Sequence, residues 1–245
     1  MIFRKDPFGH YLIIKRLVLR SIGIISYLTL RFLNKLRIEG AENLENLGKH
    51  GILIVSNHQT YFADVVGIYH VISRKRSAFS NGIKNPLYLL APMLNCYFIA
   101  AEETMKSGWI PKIVSYAGSI SIRRIWRDKD KDVKRQVRFT DITNIGMALK
   151  DGWVITFPQG TTKPNAPGRR GVTYIIKKFN PIVVPVVIDG FQNAFHRKKL
   201  RLNKLGSRVT IKFKPPLEFN ANEGSNEMLS KIMNAIEQSA APEGA

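Results

Sequence analysis

Three short, unbroken apolar runs decide most of what this chain can become. Gly51-Ile-Leu-Ile-Val-Ser56, Trp153-Val-Ile-Thr-Phe157 and Ile182-Val-Val-Pro-Val-Val-Ile188 are each bounded by glycine, proline, asparagine or aspartate. They are too short for buried helices and rich in β-branched residues, the signature of strands in a core. Between them lie segments with helical spacing, so strands and helices alternate and the fold class is α/β. Helices are expected from Asn57 through Ile72, at Pro86–Met93, over Asp141–Lys150 with Gly152 as the stop, at Arg169–Lys178 and at Glu227–Gln238. Further strands are expected at Cys96–Ala100, Ser119–Ile125 and Val209–Phe213. Pro185 inside an apolar run argues for an edge or a bulge there. Ile38–His50 is polar, with Gly40, Gly48 and several asparagines, and reads as a loop; Asp128–Arg138 alternates charges and reads as an exposed connection. The expected architecture is a single mixed sheet flanked by helices.

The chain has 245 residues, with 38 Lys and Arg against 18 Asp and Glu, a net charge of +20. That balance points to an anionic partner: a lipid surface, a nucleic acid or a phosphorylated substrate. The single cysteine, Cys96, excludes an internal disulfide and a cysteine-cluster metal site, and fits a reducing compartment. Near the N-terminus the charge-free stretch Ser21–Leu30 falls well short of the roughly 20 residues that span a bilayer. Arg20 interrupts the apolar region, against a signal peptide. Tyr11–Leu33 is nonetheless helix-compatible throughout. On a wheel of about 100° per residue, Arg16, Arg20 and Arg31 share one sector, and Leu17, Val18, Ile22, Ile25, Leu28 and Phe32 cover most of the rest. This pattern suits a helix lying in a membrane surface, with Lys15, Arg16 and Arg20 against anionic headgroups. A core helix packed on the domain, or on a partner subunit, is the other reading. Gly23 is a possible break into a helical hairpin. The expected organisation is a membrane-associating segment at residues 1–37 ahead of an α/β domain at 38–245.

Chemistry concentrates where strands end. His58 follows the first apolar run at once, and Asp64 lies six residues further on. A neutral imidazole can take a proton from a hydroxyl, and a carboxylate on its other nitrogen would fix the tautomer. A G-x-S-x-G elbow is absent, which leaves a substrate hydroxyl as the group to activate. Phe157-Pro-Gln-Gly-Thr161 leads from a strand into a turn, and the following Lys163–Arg170 loop is rich in donors. Ser119-Ile-Ser-Ile-Arg123-Arg124 places two guanidinium groups at a strand end, a phosphate-binding chemistry.

In this order, these segments resemble the glycerolipid acyltransferase family, which includes the 1-acylglycerol-3-phosphate acyltransferases. Asn57-His58 with Asp64 looks like the family's NH-x4-D motif with one extra residue. Ile120–Arg123 resembles its second motif. Phe157-Pro158-Gln159-Gly160-Thr161 resembles FPEGT, with Gln159 in place of glutamate and Thr162 where arginine is usual. Ile182–Ile188 resembles the fourth motif. The resemblance covers roughly residues 50–190. It implies that His58 deprotonates an acceptor hydroxyl and that Asp64 orients it. It further implies that the acyl group comes from acyl-CoA or an acyl carrier protein, with no metal or prosthetic cofactor. Arg123 and Arg124 would hold the acceptor's anionic group. Asn57, Phe157, Pro158, Gln159, Gly160 and Thr161 would shape the substrate site, and backbone donors near Gly160 and Thr161 would hold charge. The implied acceptor is a lysophospholipid and the implied location is the cytoplasmic face of the cell membrane, peripheral or monotopic. Leu87–Leu90, Met93 and Leu94 are a possible acyl-chain wall, with plain core packing the alternative. Rival readings are O-acylation of a lyso-aminolipid, and a non-enzymatic basic protein binding membrane or nucleic acid. The run Arg197-Lys-Lys-Leu-Arg201 supports the last, but no zinc spacing, basic zipper or RNA-binding motif accompanies it.

Overall fold

The apolar runs become the middle of a sheet. In the computed structural model, which describes residues 4–75, 85–122, 139–199 and 201–239, the strands are β1 (Lys35–Glu39), β2 (Ile52–Ser56), β3 (Cys96–Ala101), β4 (Ser119–Ile122), β5 (Trp153–Thr156), β6 (Ile182–Asp189) and β7 (Arg208–Phe213). They form one seven-stranded sheet in the order β1-β7-β6-β2-β5-β3-β4. The sheet is mixed: β2 runs parallel to β5 and β6, whereas β6 and β7 pair antiparallel. Every residue of β2 and β5 is buried. Ile52 and Ile54 enter one apolar layer while Leu53 and Val55 enter the other, so alternate side chains feed two cores.

Helices cover both faces. α1 (Leu12–Arg31) and α2 (Ala63–Lys75) supply Leu19, Leu30, Ile68, Val71 and Ile72 to the first layer. α5 (Phe139–Asp151), α6 (Gly171–Phe179) and α8 (Ser225–Ala235) supply Ile145, Leu149, Val172, Ile175, Ile176 and Ile232 to the second. α3 (Glu102–Met105), α4 (Trp109–Ser115) and α7 (Phe191–Ala194) are short. Asn180, in the left-handed region at φ 44°, ends α6, and Pro181 prevents its continuation.

Several expectations are corrected. The supposed loop at Ile38–His50 begins inside β1, whose partner is the late strand β7; β1 also crosses the expected boundary at residue 37. Alternating Lys35-Leu-Arg-Ile-Glu39 is half-exposed at the sheet edge, so it lacks the apolar run of a central strand. Pro185 lies on an interior strand. Its carbonyl accepts from Lys214 N–H, so its ring nitrogen faces the β7 side. There the ladder slips by one residue, from Val186↔Phe213 to Val183↔Leu217, and Pro215-Pro216 form a bulge opposite Val184. The missing donor falls where regular pairing is already interrupted. α2 starts at Ala63 rather than Asn57, leaving His58–Phe62 as a loop.

The N-terminal segment is one helix and not a hairpin. Gly23 serves close packing: a Cβ there would lie 2.7 Å from Leu89 Cδ2. Lys15, expected at a lipid surface, is fully buried, with Nζ 3.3 Å from Asp6 and 4.1 Å from the Tyr97 ring centroid. Burial pulls its pKa down and Asp6 opposes this. Arg20 reaches the Leu90 carbonyl. The outer face of α1 carries Ile13, Ile14, Leu17, Ile24, Ile25 and Leu28, and Phe32 follows at its C-terminal end, all exposed. No described helix is long and apolar enough to cross a membrane.

Candidate active site

β2 and β5 are adjacent and parallel, with Val55 beside Thr156, so the residues that follow them emerge side by side. Ligands of open α/β sheets collect at this carboxyl end. Two residues past β2, His58 stacks on Phe157, the residue after β5, with ring centroids 4.0 Å apart. Tyr61 lies parallel on the ring at 6.2 Å.

Asp64 answers the spacing question. It sits in the first turn of α2, fully buried, and the loop before the helix wraps around its carboxylate. Its Oδ2 accepts from His58 Nδ1 at 2.8 Å, Gln59 N at 2.6 Å and Thr60 N at 2.8 Å, while Oδ1 accepts from the Thr60 hydroxyl at 2.7 Å. With Nδ1 donating to the carboxylate, Nε2 is the basic nitrogen. The additional residue is absorbed because the loop is not helical.

The neighbouring side chains of Asn57 and Gln59 brace this loop. Asn57 donates to the Ile188 carbonyl and accepts from the Ile188 N–H, both at 2.8 Å, and so extends the β2–β6 ladder by one side-chain amide. Gln59 Oε1 accepts from Phe191 N at the start of α7.

His58 opens on a cavity of about 240 Å³. Its polar lining residues are His58, Tyr61, Thr104, Asp141, Thr156 and Arg169, and its apolar ones include Val65, Phe98, Met105, Ile122, Ile142 and Ile175. Phe157, Pro158 and Gly160 also line it. No serine or cysteine is among the described lining residues. Gly160 has φ +61°, and a Cβ there would lie 2.9 Å from the Arg169 guanidinium carbon, so glycine serves both the turn and the approach of the arginine. Its N–H is used within the turn by the Phe157 carbonyl. Thr161 is outside the cavity; its hydroxyl accepts from Lys163 N at 3.3 Å.

Gln159 turns away from the cavity and is buried. Its Nε2 donates to the Ala166 carbonyl and to Gln238 Oε1, each at 3.0 Å, and Gln238 Oε1 also accepts from Asn165 N. Arg123 and Arg124 lie outside the described residues. Leu87–Leu90, Met93 and Leu94 line no part of this cavity; Tyr88 and Leu89 instead pack with Tyr27 of α1. The lining residues Tyr61 and Thr104 escaped sequence reading because nothing in their local pattern marks them. Arg169 stood out only as one cation in a donor-rich loop.

A family model described as Acyltransferase matches residues 35–189, the span that holds β1 through β6 and every residue of the dyad and turn. The chain belongs to the acyltransferase family. Among solved structures it is similar to the 1-acyl-sn-glycerophosphate (LPA) acyltransferase PlsC from Thermotoga maritima, with a TM-score of 0.57 and 20% sequence identity. That match covers 91% of this chain and 79% of the other, and it establishes a shared fold. No curated protein sequence matches the chain significantly. In this acyltransferase, no group of three or more His, Cys, Asp or Glu among the described residues is arranged to hold a metal ion.

Proposed function

We propose that this acyltransferase moves a fatty acyl group from a thioester, acyl-CoA or acyl carrier protein, to the hydroxyl of a lysophospholipid such as 1-acylglycerol-3-phosphate. The observation that carries this reading is the His58–Asp64 pair on an apolar cavity with no serine or cysteine among its described lining residues. The nucleophile is then the substrate's own hydroxyl. Nε2 of His58 takes its proton, and the oxygen attacks the thioester carbonyl carbon. When the tetrahedral intermediate collapses, the C–S bond breaks and the imidazolium returns the proton to the departing sulfur. Asp64 holds Nδ1–H and balances the imidazolium charge. Phe157 fixes the ring plane from one side. The apolar body of the cavity suits an alkyl chain. Arg169, over Gly160 in the cavity lining, suits an anionic headgroup or the developing oxyanion.

The enzyme is proposed to work as a peripheral protein on the cytoplasmic face of the membrane. The exposed apolar face of α1 and the net charge of +20 support this. The test is transfer from acyl-CoA and acyl carrier protein thioesters to a panel of lysolipids, comparing wild type with His58→Ala. General-base assistance is worth roughly 10²–10⁴-fold. A correctly folded His58→Ala enzyme with wild-type turnover would overturn the mechanism.

A further inference from the structure

The basic run near residue 200 has no part in the reaction as described, yet the fold brings it to the site. After α7 the chain makes a hairpin closed by pairing of Phe195 with Leu202 and by His196 N–H to the Arg201 carbonyl at 2.9 Å. Within it, His196 Nδ1 accepts from Lys198 N and Lys199 N, both at 3.1 Å, which holds the turn in shape. Two bonds then seat the hairpin on the active site. The Arg197 carbonyl accepts from Tyr61 N at 2.9 Å, and the Arg197 guanidinium donates to the Thr162 hydroxyl. Tyr61 lines the catalytic cavity, and Thr162 follows the Phe157–Thr161 turn.

The charge of this junction is one-sided. Residues 157–178 contain Lys163, Arg169, Arg170, Lys177 and Lys178 and no Asp or Glu. Residues 190–207 contain Arg197, Lys198, Lys199, Arg201 and Lys204, again with no Asp or Glu. Lys198, Lys199 and Arg201 are exposed, and none of them has a carboxylate partner among the described residues. A solvated face would normally mix signs. A single-sign hairpin bonded to the cavity residue Tyr61 and to Thr162 has the character of an anion site.

We infer that Lys198, Lys199 and Arg201, beside the braced Arg197, bind the phosphate groups of the acyl donor's carrier and so direct the thioester toward His58. This rests on the acyl-transfer reading above and names the donor side of the same site. Both thioester classes carry the required chemistry: CoA through its 3′-phosphate and diphosphate, an acyl carrier protein through its phosphopantetheine phosphodiester.

The test is the full-length triple variant Lys198→Ala/Lys199→Ala/Arg201→Ala, which leaves His58, Arg169, Arg197 and His196 in place. Equilibrium titration measures binding of CoA and, separately, of holo acyl carrier protein. Turnover is measured in parallel with acyl-CoA, acyl carrier protein and the uncharged acyl N-acetylcysteamine thioester. Loss of three exposed charge pairs is expected to weaken carrier binding roughly ten-fold or more. It should raise KM for the matching phosphate-bearing donor while leaving kcat and the acceptor KM unchanged. The N-acetylcysteamine thioester should not respond. Raising salt should weaken donor binding in the wild type more than in the variant. Whichever carrier loses binding identifies the donor. The inference is overturned if neither carrier binds the wild type, if both bind the variant as tightly, if the neutral thioester suffers equally, or if the variant loses only its association with anionic vesicles. If no thioester is turned over while CoA binding still depends on these cations, the anion site stands and the acyl-transfer reading fails.

Discussion

Asp64 gives the sharpest separation of chemistry from folding, because its carboxylate serves both. Three donors converge on Oδ2, namely His58 Nδ1, Gln59 N and Thr60 N, and only a hydroxyl meets Oδ1. In Asp64→Asn the amide oxygen must therefore occupy the Oδ2 position. The new NH₂ then faces the Thr60 hydroxyl, which can turn to accept. Every bond is kept, the His58 tautomer is kept, and only the charge is lost. Each charge-assisted bond falls to the strength of a neutral one, for a total loss of about 1–3 kcal/mol of stability. The imidazolium formed during proton transfer loses its counter-charge; removing one preorganised electrostatic partner typically costs about 10²–10³-fold in kcat. Asp64→Ala is different in kind. It leaves two backbone N–H groups, a hydroxyl and the imidazole N–H without an acceptor in a buried loop, a loss of about 3–5 kcal/mol. Urea unfolding and initial rates on the same preparations measure both effects. Asp64→Asn should be nearly native in fold yet slow, and less damaged in activity than His58→Ala. The reasoning is refuted if Asp64→Asn matches wild type in rate, or if Asp64→Ala is as stable as Asp64→Asn.

Three further outcomes follow from the same geometry. Arg169→Ala should lower kcat/KM for an anionic acceptor by roughly 10- to 100-fold, the scale of a lost charge-assisted hydrogen bond, and hardly change it for an uncharged acceptor; equal losses would remove Arg169 from headgroup recognition. His70, bonded to Ser26 at 2.7 Å and Tyr88 at 2.6 Å, is pulled by burial to a pKa of about 4, so the unfolded chain binds a proton that the folded chain refuses. Stability should fall as pH drops from about 6.5 toward 4, by about 3 kcal/mol from this group, and urea titrations of His70→Gln should show that slope flattened. Ile25 on α1 and Phe32 just past its end, 66% and 69% exposed, should become aspartate with no loss of thermal stability but at least a ten-fold loss of partition onto anionic vesicles in a flotation assay.

The readability of the fold tracks burial. β2, β5 and β6 lie in the middle of the sheet, so their residues are apolar on both faces and announce themselves. β1 is an edge strand whose exposed face carries Lys35, Arg37 and Glu39, and its partner β7 is far away in the chain. Its only local mark is the short alternation Lys35-Leu-Arg-Ile-Glu39, a weaker signal than an unbroken apolar run. Lys15 misled for the opposite reason: a wheel assigns lysine to solvent, and only the tertiary fold supplies Asp6 and the Tyr97 ring as neighbours. On α1 the inward face is instead the row Lys15, Leu19, Gly23, Tyr27, with isoleucines and leucines left outside. In the site, the histidine and the aspartate were legible because both lie close together in sequence. Arg169 required the return of the chain over Gly160, and the Arg197 hairpin required two long-range hydrogen bonds.

Two of the three departures from the family's motifs have separate physical explanations, and neither touches the proton-transfer geometry. An added residue between His58 and Asp64 would rotate the pair apart by about 100° on a regular helix. Here the helix begins only at Ala63, and the intervening backbone gives its own N–H groups to Asp64. The added residue lengthens a loop whose shape the carboxylate itself dictates. Gln159 faces the Ala166 carbonyl and a Gln238 oxygen already engaged by Asn165 N. Both neighbours are acceptors, so this position needs a donor, and a carboxylate there would meet two oxygens. The amide ties the 162–168 loop to the C-terminal end of the chain, and Arg169 begins where that loop ends. The glutamine thus supports the loop that carries the arginine, with its side chain bonded to Ala166 and Gln238.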